Sequence, residues 1–147
     1  MADYDQGNVF AKILRGELPA HKVAEDDESL VIMDIMPRGP GHCLVIPKAP
    51  ARNILDVTPA SLSAVIRTVQ RVSRAAMAAF DADGVTIQQF NETAGGQVVF
   101  HLHFHVIPRF AGVPLRLPTG DMERPDVLAQ AAEKLRAALD STVLGDR

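Results

Sequence analysis

Residues 100 to 107 read Phe-His-Leu-His-Phe-His-Val-Ile, with apolar and imidazole side chains alternating up to Val106. A period of two is that of an extended strand, whose successive side chains point to opposite faces. A chain carrying this segment needs a sheet with one face closed over Phe100, Leu102, Phe104 and Val106. The opposite face then presents His101, His103 and His105 at intervals of roughly 7 Å. The clustering is not compositional: with five histidines in 147 residues, an H-x-H-x-H motif has a chance of about 0.006 of arising at random. Three readings of the row are open: solvated side chains, a metal pair at i and i+2 completed by a carboxylate such as Glu92, or imidazoles converging on an anionic group.

The rest of the chain supplies elements to build that sheet and cover it. Val9, Phe10, Ile13 and Leu14 recur at helical spacing between Asn8, a candidate N-cap, and Gly16, a candidate stop. Lys22–Glu25 and Leu30–Met33 flank the acidic run at 26–29 and predict two strands joined by a charged turn. Asp34 to Gly41 is rich in proline and glycine and predicts a loop into a strand over His42–Pro47. Thr58 followed by Pro59 opens a helix whose stripe of Leu62, Val65, Ile66, Val69, Val72 and Ala76 runs to near Phe80. Val85–Asn91 reads as a strand, the stretch 92–97 as a short loop, and Val98 to Ile107 as a second strand, together an antiparallel pair. Beyond Pro108 the prolines predict irregular chain until Pro125, where a last helix runs to about Leu139. Helices and strands interspersed in this way predict one α+β domain over 1–147, a mostly antiparallel sheet packed against helices. Its core spans about 8–110, and the remainder is a C-terminal extension.

Charge and composition narrow the function. Fifteen Lys and Arg stand against 18 Asp and Glu, a net charge of −3, so a broad basic surface for nucleic acid is not expected. The single cysteine, Cys43, excludes an internal disulfide and a multi-cysteine zinc cluster. No apolar run approaches the ~18 residues of a membrane span, and Met1 to Gln6 lack the basic-then-apolar pattern of a secretory leader. A soluble, cytoplasmic protein is the expectation.

The His-Leu-His-Phe-His-Val-Ile segment resembles the His-φ-His-φ-His-φ-φ signature of the histidine triad superfamily at every position, φ being apolar. The resemblance extends in order through N-V-F-A-K-I-L-R-G-E-L-P-A, D-I-M-P-R-G-P-G-H-C-L-V-I-P-K and F-N-E-T-A-G-G-Q-V-V-F, covering about residues 8 to 110. It implies the histidine triad fold, a nucleotide-binding hydrolase or transferase, and a homodimer. By resemblance His103 attacks the α-phosphorus of a purine nucleoside phosphoramidate or related conjugate, forming a nucleotidyl-histidine. His42, His101 and His105 surround the phosphate. Gly95, Gly96 and Gln97 correspond to the phosphate loop, with Asn91 beside it. Asp34 matches the acceptor of the ribose hydroxyls, and Val9, Phe10, Ile32 and Ile35 the apolar slot for the base.

Two departures qualify that picture. Many bacterial members of the superfamily hold a structural zinc through C-x-x-C in the first helix, a histidine after the P-K, and the first active-site histidine. Asn8 and Ala11 occupy the cysteine positions here, and Ala49–Pro50 offers no histidine, so neither a metal nor any other cofactor is expected. Val98 stands where phosphoramidase and dinucleoside polyphosphate branches often have Ser or Thr, so it can donate no side-chain hydrogen bond to a leaving group. Arg109, and Arg116 and Arg124 in the extension, could meet further phosphates. A dinucleoside polyphosphate hydrolase and a nucleotide-binding interaction module with little catalysis therefore stand as alternatives, with a metal-dependent hydrolase at His101 and His103 as a third.

Overall fold

Both predicted N-caps form. In the computed structural model, which describes residues 1–118 and 120–143, the Asn8 side chain accepts the Ala11 N–H at the head of α1 (Val9–Leu14). Thr58 accepts the Ser61 N–H at the head of α2 (Pro59–Ala79). Each bond satisfies one of the first-turn amides that a helix leaves without an internal partner. The third helix, α3, spans Pro125–Val143, one turn longer than its apolar stripe suggested.

Five strands, β1 (Lys22–Glu25), β2 (Ser29–Met33), β3 (Cys43–Pro47), β4 (Gly84–Gln88) and β5 (Phe104–Arg109), form one antiparallel sheet in the order β1-β2-β3-β5-β4. The β2 and β3 strands are buried at every position because both of their faces are covered, which explains why they read as continuous apolar runs. Val31, Met33, Cys43, Val45, Phe104 and Val106 face α2 and α3, packing on Val65, Val69 and Val72 of α2 and on Leu128 and Leu135 of α3. Each such leucine or valine contributes about 1.5–3 kcal/mol by leaving water. Leu30, Ile32, Leu44 and Ile46 face the other way, where Phe10 and Ile13 of α1 close over them. The short α1 covers only part of this second face, and the functional side chains stand on the remainder.

The histidine segment departs from the expected strand over 98–107. Hydrogen-bonded pairing begins at Phe104 and continues to Arg109, so only His105 lies on β5. The β3–β5 ladder pairs Val45 with Phe104 and Leu44 with His105; extended, it would set Pro47 opposite Leu102. Proline has no N–H to give. Leu102 N–H turns instead to the Ala51 carbonyl, 2.9 Å away, and the Pro47 carbonyl faces the His101 ring at 2.7 Å. Phe100 leaves the core: the Arg52 guanidinium lies over its ring at 4.2 Å. The strand expected over 85–91 ends at Gln88, and Asn91 uses its side chain to accept the Ile54 N–H at 3.0 Å. As expected, the segment 110–118 and 120–124 has no regular element. Position 119 and residues 144–147 of the predicted single domain lie outside the described residues.

Candidate active site

Gly41 starts the site. Its φ is +81°, and a Cβ there would lie 2.6 Å from the Phe80 ring, so only glycine lets the loop from Asp34 pass the end of α2. The chain then delivers His42, fully buried, to the mouth of β3. His42 Nδ1 accepts the Arg38 N–H at 3.0 Å, which places the ring proton on Nε2. His42 Nε2 lies 2.9 Å from His105 Nδ1 and 3.4 Å from Asp34 Oδ2. His105 Nδ1 is thereby an acceptor, and His105 keeps its proton on Nε2, free to donate.

His103 is oriented differently. Its Nδ1 is 2.7 Å from the His101 carbonyl oxygen, an acceptor only, so Nδ1 carries the proton and Nε2 carries a lone pair. Phe10 and His105 pack edge-on to the ring, with centroids 4.8 and 5.0 Å away. Burial depresses the basicity of all three rings: His103 and His42 are pushed down to about 4, and His105 to about 3, where the neighbouring His103, His42 and Arg38 add repulsion. At neutral pH they form an uncharged set of fixed tautomers: a lone pair on His103 and an N–H donor on His105.

Asp34 is drawn into this cluster. Oδ1 accepts the Met36 N–H at 2.9 Å, and burial raises its pKa, partly offset by that bond. Asp34, His42 and His105 are close enough for one metal ion. The hydrogen-bond pattern does not suit one, because a metal would need the Nε2 lone pair of His42 while Arg38 N–H already occupies Nδ1. A liganding histidine instead donates its second nitrogen's proton outward. Glu92, the carboxylate weighed for a metal at the other histidines, is engaged by Arg52 at 2.8 and 3.0 Å and by Asn53 at 2.6 Å.

Several expected site residues turn out to hold the site rather than face it. His101 is fully buried, with Nε2 toward the Pro47 carbonyl and Nδ1 2.6 Å from the Tyr4 hydroxyl. Both ring nitrogens being engaged, its ring cannot also surround a phosphate; its contribution is the carbonyl that orients His103. Gln97 is buried too, accepting from Asn53 and the Glu92 N–H and donating to the carbonyls of Arg52 and Val99. The N–H groups of Gly95, Gly96 and Gln97 close a 3-10 turn over Thr93–Gly95 onto Glu92 and Thr93. The loop amides and the Gln97 side chain, expected as phosphate donors, therefore serve the turn. Asn91 forms a reciprocal amide pair with Gln89 at 2.9 Å in both directions. Of the apolar slot, Phe10 and Ile32 belong to the cluster under α1, whereas Val9 and Ile35 are exposed.

The arginines weighed for further phosphates are also committed: Arg109, at the end of β5, to the Thr86 hydroxyl at 3.0 Å, Arg116 to Glu123 at 3.7 Å and Arg124 to Asp126 at 3.4 Å. Sequence reasoning missed Tyr4, Arg38, Arg52 and Asn53. Tyr4, Arg52 and Asn53 act on partners 39 to 97 residues away, which no periodicity marks, and Arg38 acts on His42 through its backbone N–H, which its side-chain type does not reveal. Glu92, considered from the sequence as a metal carboxylate, instead adopts a φ of +63°, unusual for a residue with a side chain, and anchors Arg52 and Asn53.

Comparison with known proteins agrees with the fold. The HIT domain model matches residues 15–112. The crystal structure of a HIT-like protein from Bartonella henselae superposes with a TM-score of 0.90 at 47% identity, covering 93% of this chain and 99% of that one. An adenosine 5′-monophosphoramidase of Schizosaccharomyces pombe is 35% identical over 69% of this chain. An adenylylsulfatase of Arabidopsis thaliana is 41% identical over 69% of this chain, which spans about half of that protein's length.

Proposed function

Because the chain belongs to the HIT domain family, we propose that it is a nucleotide hydrolase acting through a nucleotidyl-His103 intermediate, with a purine nucleoside 5′-phosphoramidate as the substrate class. The observation that carries this reading is the His103 Nδ1–H···O=C bond to His101 at 2.7 Å, which leaves an uncharged ring with its Nε2 lone pair available. Attack by Nε2 on the α-phosphorus forms an N–P bond as the bond to the leaving group breaks and that group takes up a proton from solvent water. The imidazole then becomes a cation, and the His101 carbonyl facing its Nδ1–H stabilises that charge as it develops. His105 Nε2–H donates to a non-bridging oxygen, held in that tautomer by His42 and, behind it, Arg38 N–H. Water attacks the same phosphorus in the second step and returns a proton to solvent, releasing the nucleoside monophosphate and restoring the His103 lone pair.

Relatives named for cleavage of an adenylyl–amine and an adenylyl–sulfate bond support the adenylyl half of the substrate and leave the other half variable. Val9 and Ile35, the exposed members of the expected slot, offer the base an apolar surface, and Asp34 Oδ2, 3.4 Å from His42 Nε2, is the acceptor we assign to the ribose diol. A small-molecule nucleotide is thus the proposed partner, in a cytoplasmic homodimer. Strand β4, at the sheet edge with Ile87 49% exposed, offers a second copy an unpaired edge. Among the described residues no helix is long and apolar enough to cross a membrane.

Single-turnover assays with adenosine 5′-phosphoramidate, comparing wild type with His103→Ala, test the proposal. We expect a loss of about 10³-fold or more and no adenylylated protein in the variant; turnover at the wild-type rate refutes it. One observation favours a second reading, a binding module with little catalysis: Val98 is 85% exposed beside the loop and offers no hydroxyl. Nucleotide binding without product from phosphoramidate, dinucleoside polyphosphate and adenylyl-sulfate substrates would establish that reading instead.

A further inference from the structure

The five residues that open the chain have no regular structure, yet they supply a side chain to the site. Tyr4, the chain's only tyrosine, is half-buried. Its hydroxyl is 2.6 Å from His101 Nδ1, and its ring stands edge-on to the imidazole with centroids 5.5 Å apart. On the opposite side of that imidazole, Nε2 faces the Pro47 carbonyl at 2.7 Å. A carbonyl oxygen only accepts, so Nε2 holds the proton, Nδ1 is an acceptor, and the phenol must donate to it. His101 is therefore clamped from two sides in one tautomer, between the opening segment and the end of β3.

Resting on the reading of His103 as the nucleophile, we propose that Tyr4 is a positioning residue for the reaction, donating to His101 and so fixing the peptide carbonyl that orients the His103 ring. Two couplings carry the effect. The His101 carbonyl accepts from His103 Nδ1, and the Phe10 ring touches both imidazoles edge-on, at 6.4 and 4.8 Å between centroids. Without the phenol hydroxyl, His101 Nδ1 is a buried acceptor with no donor among the described residues. The ring then regains the freedom to turn or to take up a second proton, and its carbonyl follows. In-line attack tolerates little displacement of the attacking nitrogen, and the His103 tautomer depends on that one carbonyl.

Tyr4→Phe in the full chain removes the hydroxyl and keeps the ring. We expect a roughly ten-fold slower nucleotidylation step at saturating adenosine 5′-phosphoramidate with KM unchanged. In nitrogen-15 correlation spectra of the nucleotide-free protein, His103 should change from a single Nδ1–H tautomer to a mixture. A merely structural tyrosine would lower Tm and leave both the His103 tautomer and the rate per folded molecule as in wild type; that result overturns the proposal. Should Tyr4→Phe fail to fold, the wild-type spectra decide. His101 protonated on Nε2 supports the clamp, and His101 protonated on Nδ1 overturns it. Since the spectra need no substrate, a wild type inactive on phosphoramidates would refute the proposed hydrolysis while the tautomers still decide the role of Tyr4.

Discussion

Acidification to pH 5 should cost the fold a large part of its stability, through three neutral imidazoles. In the native state His42 and His103 are pushed down to about 4 and His105 to about 3, chiefly by burial, whereas in the unfolded chain each titrates near 6.5. Between these values the unfolded state binds about three more protons than the folded state, so stability falls as pH falls. From pH 8 to pH 5 each histidine forfeits about 2 kcal/mol, and the three together about 6 kcal/mol. His101, lowered by burial as well, adds in the same direction. Asp34 acts oppositely: its raised pKa favours protonation of the native state, so its contribution grows as pH falls toward the carboxylate range. Against a total of about 5–15 kcal/mol for a domain of this size, the histidine contribution should shift the urea midpoint severalfold more than surface charges do. Urea melts at pH 8, 6.5 and 5, with the slope m held in common, measure it. A midpoint unchanged over that range, with imidazole resonances titrating near 6.5 in the folded protein, would refute the claim that the site holds these rings neutral by burial.

Three further outcomes follow from the same geometry. If His103 is the nucleophile, kcat/KM measured on folded protein should stay flat as pH falls from 7.5 to 5.5, where an unperturbed histidine would lose about ten-fold; a ten-fold fall would refute the depressed pKa. Gly41→Ala places a Cβ against the Phe80 ring at a φ of +81° and should destabilise by about 3 kcal/mol or more while displacing His42, read by calorimetry. Gln97→Ala deprives the Glu92 N–H and the carbonyls of Arg52 and Val99 of their partner, with an expected loss of about 3 kcal/mol, and a near-neutral result would show that Gln97 is not the keystone of the loop.

Some of this architecture was legible residue by residue. Asn8 and Thr58 announced α1 and α2 because a cap is a local transaction between a side chain and an amide three residues on. The β1–β2 hairpin showed as two apolar stretches around charge. The histidine segment was legible in its faces and not in its length. Phe104 and Val106 do enter the core opposite His105, but alternation says nothing about whether a neighbouring strand has an N–H to pair with, and Pro47 on β3 does not. Tyr4 lies 97 residues from His101 and Arg52 40 from Glu92, separations at which no periodicity can speak.

Sequence by itself therefore determined the inventory: an α+β chain, the elements that build its sheet, four imidazoles grouped by motif, and a glycine-rich turn beside them. Tertiary structure alone decided which of those groups are free to react. His101, His103 and His105 are the same side chain at equal spacing, and the difference between them is what each ring nitrogen meets. His101 meets a phenol and a carbonyl, His103 a single carbonyl, and His105 another imidazole. Hydrogen-bond partners drawn from Tyr4, Pro47, Arg38 and His42 assign the protons, and burial keeps the rings uncharged, so the chemistry of the motif is set by residues outside it.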